Sequence, residues 1–160
     1  MENITIRITI LLVSIICIFV IALSILPACT LETPKPLPTL EDTTWVLQAY
    51  GQPGSLKSVL TGVGKGKEIN ITAVFNRFGS TSGQVAGFSG VNTYTGNYKL
   101  ENSRLTVSEI MLTALAGPQP LLDQENEFLK LLKASDSYEI SGDQLQINCE
   151  QQELIFIEHQ

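Results

Sequence analysis

The sequence predicts a mainly β fold: a small antiparallel sheet curled into a barrel, with one packed α-helix. Three observations carry this. Short apolar runs with period-two alternation recur from about residue 45 to the end. Turn-forming residues separate them at close spacing. A single stretch, 121–134, has helical rather than strand periodicity.

The first run is Trp45-Val46-Leu47-Gln48-Ala49-Tyr50, closed by Gly51 and Pro53. Residues 68–75 alternate, with Ile69, Ile71, Ala73 and Phe75 on one side and Glu68, Asn70 and Thr72 on the other. Between these runs, residues 62–67 read as a flexible basic loop. Their Gly-Val-Gly-Lys-Gly-Lys order does not meet the spacing of a phosphate-binding loop. Residues 84–88 follow a Ser/Gly/Thr turn. Residues 97–100 and 104–107 flank Glu101, Asn102 and Ser103 as a hairpin. Three more short strands, 137–140, 145–149 and 153–158, are divided by Gly142-Asp143 and by residues 150–152. Cys149 is in phase with Leu145 and Ile147, which makes it a buried, inert thiol.

The helix places Leu121, Glu125, Phe128 and Leu132 along one line, with Leu122 and Leu129 beside it. Acidic residues fill its first half, and Lys130 and Lys133 lie near its end, an order that complements the helix dipole. Pro118 and Pro120 sit where proline starts a helix without breaking it.

Ahead of this domain, residues 8–26 carry no charge. They lead into Leu26-Pro27-Ala28-Cys29. A small residue before a Cys at the end of an apolar leader resembles the lipobox of bacterial lipoproteins, with Pro27 standing where a small or aliphatic residue is usual. That resemblance implies a signal segment over 1–28, a lipid on the Cys29 thiol, and cleavage that leaves Cys29 first. The alternative is an uncleaved helix over 8–26, long enough to span a bilayer. Both readings place the remaining chain outside the cytoplasm and tied to a membrane, in the cell envelope. Residues 29–43 form a tether in which Pro34, Pro36 and Pro38 favour extended polyproline-like chain. The folded domain is expected over 44–158.

The chain has 160 residues and a formal charge of −6. Glu2 and Arg7 cancel within the leader, so the remainder keeps that charge. An acidic surface argues against a nucleic-acid partner. With Cys17 in the leader and Cys29 at the processing site, Cys149 has no intradomain disulfide partner.

Two segments carry a family resemblance. The first runs Val85-Ala86-Gly87-Phe88-Ser89-Gly90-Val91-Asn92-Thr93-Tyr94-Thr95-Gly96-Asn97-Tyr98. The second is Thr113-Ala114-Leu115-Ala116-Gly117, followed by Glu125, Phe128 and Leu129. Together with Trp45 in its Thr-Trp-Val-Leu setting, and with Tyr138, Ile140, Gly142, Leu145 and Ile147, they resemble the META, or HslJ-like, domain. Members often carry Cys where this chain has Val91 and Gly117. The two are absent together, as expected if they normally pair. The resemblance implies an accessory or stress-related envelope role without an agreed biochemical activity. The motif residues so singled out, Trp45, Gly87, Gly90, Asn92, Tyr94, Gly96, Tyr98, Thr113 and Glu125, read as builders of the fold, the glycines serving tight turns or bulges, with contact to a ligand as the alternative.

No catalytic, cofactor-binding or metal-binding set emerges. The one His is His159, at the chain end, which excludes His-based triads and metal sites. The expectation is a non-enzymatic protein whose partner is an unknown envelope protein or small ligand. A carrier would need an apolar lumen lined by Ile69, Ile71 and Phe75. A protein-binding or inhibitory module would expose a patch around residues 51–67 or at Tyr94 and Tyr98.

Overall fold

The computed structural model describes residues 39–60, 62–64 and 67–159. The leader, Cys29 and the tether as far as residue 38 lie outside the described residues. No helix among those described is long and apolar enough to cross a membrane.

The chain runs β1 (Thr44–Gln52), β2 (Ser55–Ser58), β3 (Gly62–Gly64), β4 (Lys67–Ile69), β5 (Thr72–Arg77), β6 (Ser82–Phe88), β7 (Thr93–Glu101) and β8 (Arg104–Leu112). Then come the helix α1 (Gln119–Lys133) and β9 (Ser137–Ser141), β10 (Gln144–Cys149) and β11 (Gln152–Glu158). Nine strands form one antiparallel sheet in the order β11-β10-β9-β8-β7-β6-β5-β1-β2, and β11 also pairs with β1, so the sheet curls into a closed ring. The expected mainly β architecture with one helix is the one present among the described residues.

β1 makes closure possible because it has two jobs on one edge. Its first residues, Thr44–Val46, pair with β5, and its last four pair with β2 through the Pro53-Gly54 turn. Its other edge pairs with β11, with a register shift between Leu47 and Ala49. Such a bulge increases local twist and helps a sheet curl. The hairpins fall where turn chemistry put them. Asn102 and Glu150 take positive φ (59° and 57°) in the β7–β8 and β10–β11 turns, and Gly142 does so between β9 and β10.

Two stretches depart from expectation. The alternating run 68–75 is broken: β4 ends at Ile69, β5 begins at Thr72, and Leu47 N–H donates to the Ile71 carbonyl at 2.9 Å across the break. The basic loop instead contains a two-stranded ladder, β3 against β4. The side chain of Ile69 lies outside what is described.

The interior is filled. Trp45, Phe75, Val85, Leu105, Leu145, Ile147, Leu154 and Phe156 all have zero exposure, joined by Phe128 and Leu132 from α1. Edge-to-face rings bind the layers: Phe75–Tyr98 at 5.4 Å, Tyr94–Phe128 at 5.6 Å and Phe128–Phe156 at 6.4 Å between centroids. Ile71 and Phe75 are part of this packing rather than the wall of a lumen, so the carrier reading finds no room there. Tyr94 and Tyr98 are each 2% exposed and belong to the core, so they form no surface patch. Their hydroxyls are both satisfied, Tyr94 donating to the Thr72 carbonyl at 3.0 Å and Tyr98 to Glu41 Oε1 at 2.8 Å.

The packed unit starts before β1. Leu40 is buried, and its carbonyl accepts the Trp45 indole N–H at 3.0 Å. Gly87 lets β6 come close to β5: a Cβ there would lie 2.0 Å from the Thr72 carbonyl oxygen.

Candidate functional site

Of the residues shared with the family motif, Gly90, Asn92, Thr113 and Glu125 meet in one place, the junction of the β6–β7 loop with α1. The loop is Ser89-Gly90-Val91-Asn92. It is closed by Ser89 N–H donating to the Asn92 carbonyl at 2.8 Å, with Gly90 at φ 109° in the middle. Glu125 enters from α1 and is 2% exposed. Its Oε1 accepts Asn92 Nδ2 at 2.7 Å. Its Oε2 accepts the Asn92 backbone N–H at 2.8 Å and the Ser89 hydroxyl in a short bond. Asn92 is itself 3% exposed, and its Oδ1 accepts the Thr113 hydroxyl at 2.8 Å and Leu115 N–H at 2.7 Å.

One Asn and one Glu therefore clamp three segments: the β6–β7 loop, the 113–117 stretch after β8, and the helix. A buried carboxylate without a cation costs free energy unless donors surround it. Here three donors do, and no buried polar side-chain atom among the described residues lacks a partner. The arrangement is closed on itself. It holds α1 and the two loops together, with Thr113 at its exposed edge.

Beside this clamp, Val91 and Gly117 touch. A Cβ built on Gly117 would lie 2.7 Å from Val91 Cγ1 and 3.5 Å from Val91 Cβ. The two positions where relatives often carry Cys are thus adjacent, with the Val side chain occupying the space that Gly117 leaves. Gly96 serves elsewhere: a Cβ there would crowd Ile110 Cγ1 at 3.1 Å, opposite a bulge in β8. Trp45 sits in the core.

A second polar cluster was not foreseen. Glu41, read as part of the tether, receives Tyr98 OH and a two-point contact from Arg77, whose Nε lies 2.8 Å from Oε2. The Arg77 guanidinium, more than any other group, holds the Glu41 carboxyl below the ordinary carboxylate range, aided by Tyr98 and opposed by burial. Burial first, then Glu41, pushes the Tyr98 phenol upward. Ser89 was also missed as a functional side chain. Its only sequence sign was a hydroxyl three residues before Asn92, the spacing of a local turn. Cys149 is buried as expected, and burial pushes its thiol up to about 12.

A family model, that of the META domain, matches residues 38–160. The chain belongs to the META domain family. The clamp and the Val91–Gly117 contact are thus features of a META domain in which the two Cys positions carry other residues. Among solved structures, this META domain is similar to one described as the NMR structure of a protein from Burkholderia xenovorans. That chain is 26% identical, with 84% of this chain and 97% of that one covered, and a TM-score of 0.61. A second NMR structure is 20% identical, covers 76% of this chain and 95% of its own, has a TM-score of 0.54, and shares the fold. No curated protein matches the sequence.

Proposed function

We propose that this META-domain protein is held outside the cytoplasm by a lipid on Cys29 and acts there by binding, in an accessory or stress-related role, without catalysis. The observation that supports the non-catalytic half is the closed state of the motif. Its most buried carboxylate, Glu125, has both oxygens occupied by Asn92 and Ser89, so the shared residues serve the scaffold and leave no poised acid or base among them. The anchoring half is supported by the apolar leader ending at Leu26-Pro27-Ala28-Cys29 and by the proline-rich stretch that follows. Two or more acyl chains give stable attachment where one does not.

The test is to express the full chain in bacterial cells fed radiolabelled palmitate, beside a Cys29→Ala variant. Label in the membrane fraction that disappears in the variant is the expected result. Membrane-bound but unlabelled protein that keeps its leader would replace the lipid anchor by the helix at 8–26. Unlabelled protein in the cytoplasm would overturn the anchoring half. A turnover activity of the purified chain, abolished by a single Asp or Glu change, would overturn the non-catalytic half.

A further inference from the structure

The ring has one weak seam. β8 pairs with β7 from Arg104 to Leu112, but on its other side it meets β9 only at Arg104↔Ser137. From Thr106 to Leu112 one edge of β8 therefore has no strand beside it among the described residues, and α1 lies across the gap. Between that edge and the helix runs a groove of about 480 Å³. Glu109, Ile110 and Leu112 line it from the strand; Leu129, Lys130 and Lys133 line it from one face of the helix.

Three features make this groove unlike ordinary surface. Six large apolar side chains are exposed among the described residues; one of them, Leu112 at 48% exposure, lines the groove, and Met111 and Leu115 lie close to it in sequence at 68% and 62%. Lys130 and Lys133 are exposed, and neither joins an ion pair among the described residues, whereas Lys57, Arg77, Lys99 and Arg104 all do. The strand edge is also re-aimed by a bulge: Glu109 sits at φ 52°, where the register against β7 shifts, and its carboxylate is tied back by Asn97 Nδ2 at 2.5 Å.

We propose that this groove binds an extended, acidic peptide segment of a partner protein by strand addition. The peptide backbone pairs with the free edge of β8. Alternate apolar side chains rest on Ile110 and Leu129, and the carboxylates between them reach Lys130 and Lys133. An open strand edge facing a helix supplies main-chain hydrogen bonds for affinity and side-chain contacts for selection. Charge chooses the occupant. The groove carries two lysines outside any ion pair among the described residues against one carboxylate, Glu109, which Asn97 holds, so its local balance favours an anionic segment although the whole chain is acidic. A second copy would bring its own lysine pair to the same seam. In the chain's own residues 29–38 Lys35 cancels the one acid, Glu32, and three prolines lack N–H groups. The proposal rests on the binding reading above and is independent of the anchor.

The test uses the isotopically labelled full chain in detergent micelles and three short peptides. One alternates Val and Glu, one alternates Val and Lys, and one repeats the Val–Glu sequence with alternate backbone nitrogens methylated. The expected result is binding of the Val–Glu peptide with amide shifts confined to Thr106–Leu112 and the facing side of α1. The other two peptides should bind at least about tenfold more weakly. The exposed double change Lys130→Glu with Lys133→Glu should reverse the preference between the acidic and basic peptides, which mere loss of folding cannot do. Equal binding of both charges, indifference to methylation, shifts elsewhere, or a peptide-free dimer paired through β8 would each overturn the proposal. A chain that ignores all three peptides yet captures a protein through another surface refutes the groove alone and leaves the binding reading standing.

Discussion

Replacing Val91 and Gly117 together by Cys should create a disulfide that stabilises the domain. The Cβ position at Gly117 is 3.5 Å from Val91 Cβ, at the short end of the window of about 3.5–4.5 Å that disulfides occupy. Gly117 is not among the glycines at positive φ, so its backbone accepts a side chain. The clash that forbids a lone side chain at 117 comes from the Val91 branches, at 2.7 and 3.0 Å, and Val91→Cys removes them. In the chain-entropy model, a link closing a loop of roughly 25 residues contributes about 3.5 kcal/mol. Losing one half-buried methyl group at Val91 costs about 1 kcal/mol. The net of about 2.5 kcal/mol corresponds to a Tm rise of roughly 10 °C for a domain of this size. Intact mass before and after thiol alkylation counts the cysteines that remain free. Circular dichroism melts with and without reductant then measure the gain. Gly117→Ala with Val91 retained should melt lower than the parent, because the methyl group meets Val91. A double variant that stays reduced under oxidising conditions, or whose oxidised form melts no higher than its reduced form, would refute the placement.

Glu125→Gln puts an amide donor against donors from Asn92 and Ser89, and should lower the urea unfolding free energy by about 2–3 kcal/mol. Combining it with Asn92→Ala should cost clearly less than the two changes added, since both break the same clamp; strict additivity would show that they act separately. Acidification offers a third check. Glu41 is held below its ordinary range when folded, so its contribution is present at neutral pH and disappears as pH falls below about 4.5 through the folded value. Glu41→Gln should flatten the stability profile between about pH 5 and 3, with a difference at neutral pH under about 1 kcal/mol because Arg77 is exposed. Cys149 should resist a thiol reagent at pH 8 in the folded protein and react fully in denaturant. Prompt reaction in the native state would contradict its burial.

The hairpins and the helix were legible because their signals are local. Asn102 and Gly142 fix turns that need positive φ, and alternation in 145–149 names Leu145, Ile147 and Cys149 as inward before any partner strand is known. What was not legible depends on contacts distant in sequence. Nothing in the proline-rich composition marks Leu40 and Glu41 as part of the folded unit; they pack because Trp45, Arg77 and Tyr98 wait for them. The break at residues 70–71 is invisible to periodicity, because the apolar phase of Ile71, Ala73 and Phe75 continues across it. Tyr94 and Tyr98 were ambiguous for a different reason: a phenol ring suits a core and its hydroxyl suits a surface, and only the ring curvature decides. The motif residues were identified as a set, but their meeting point was not. Ser89 went unnoticed because its partner, Glu125, lies 36 residues away.

The helix explains how one short element can complete so open a ring. Its 3.6-residue period separates three faces. Phe128, Leu131 and Leu132 enter the core and substitute for the wall that β8 and β9 fail to close. Gln124 and Glu125, one turn earlier, tie the helix down: Glu125 to the β6–β7 loop, Gln124 to Leu60 through paired bonds of 2.6 and 3.1 Å. Leu129, Lys130 and Lys133 are left facing the free edge of β8. Moving α1 to seal that edge would pull Glu125 from its three donors and Phe128 from Tyr94 and Phe156. The clamp thus does more than stabilise. It fixes where the helix sits beside β8, so Glu125→Gln should weaken binding of the Val–Glu peptide at a groove it does not touch, read by the same amide-shift titration; unchanged binding in the folded variant would show that the clamp does not set the groove.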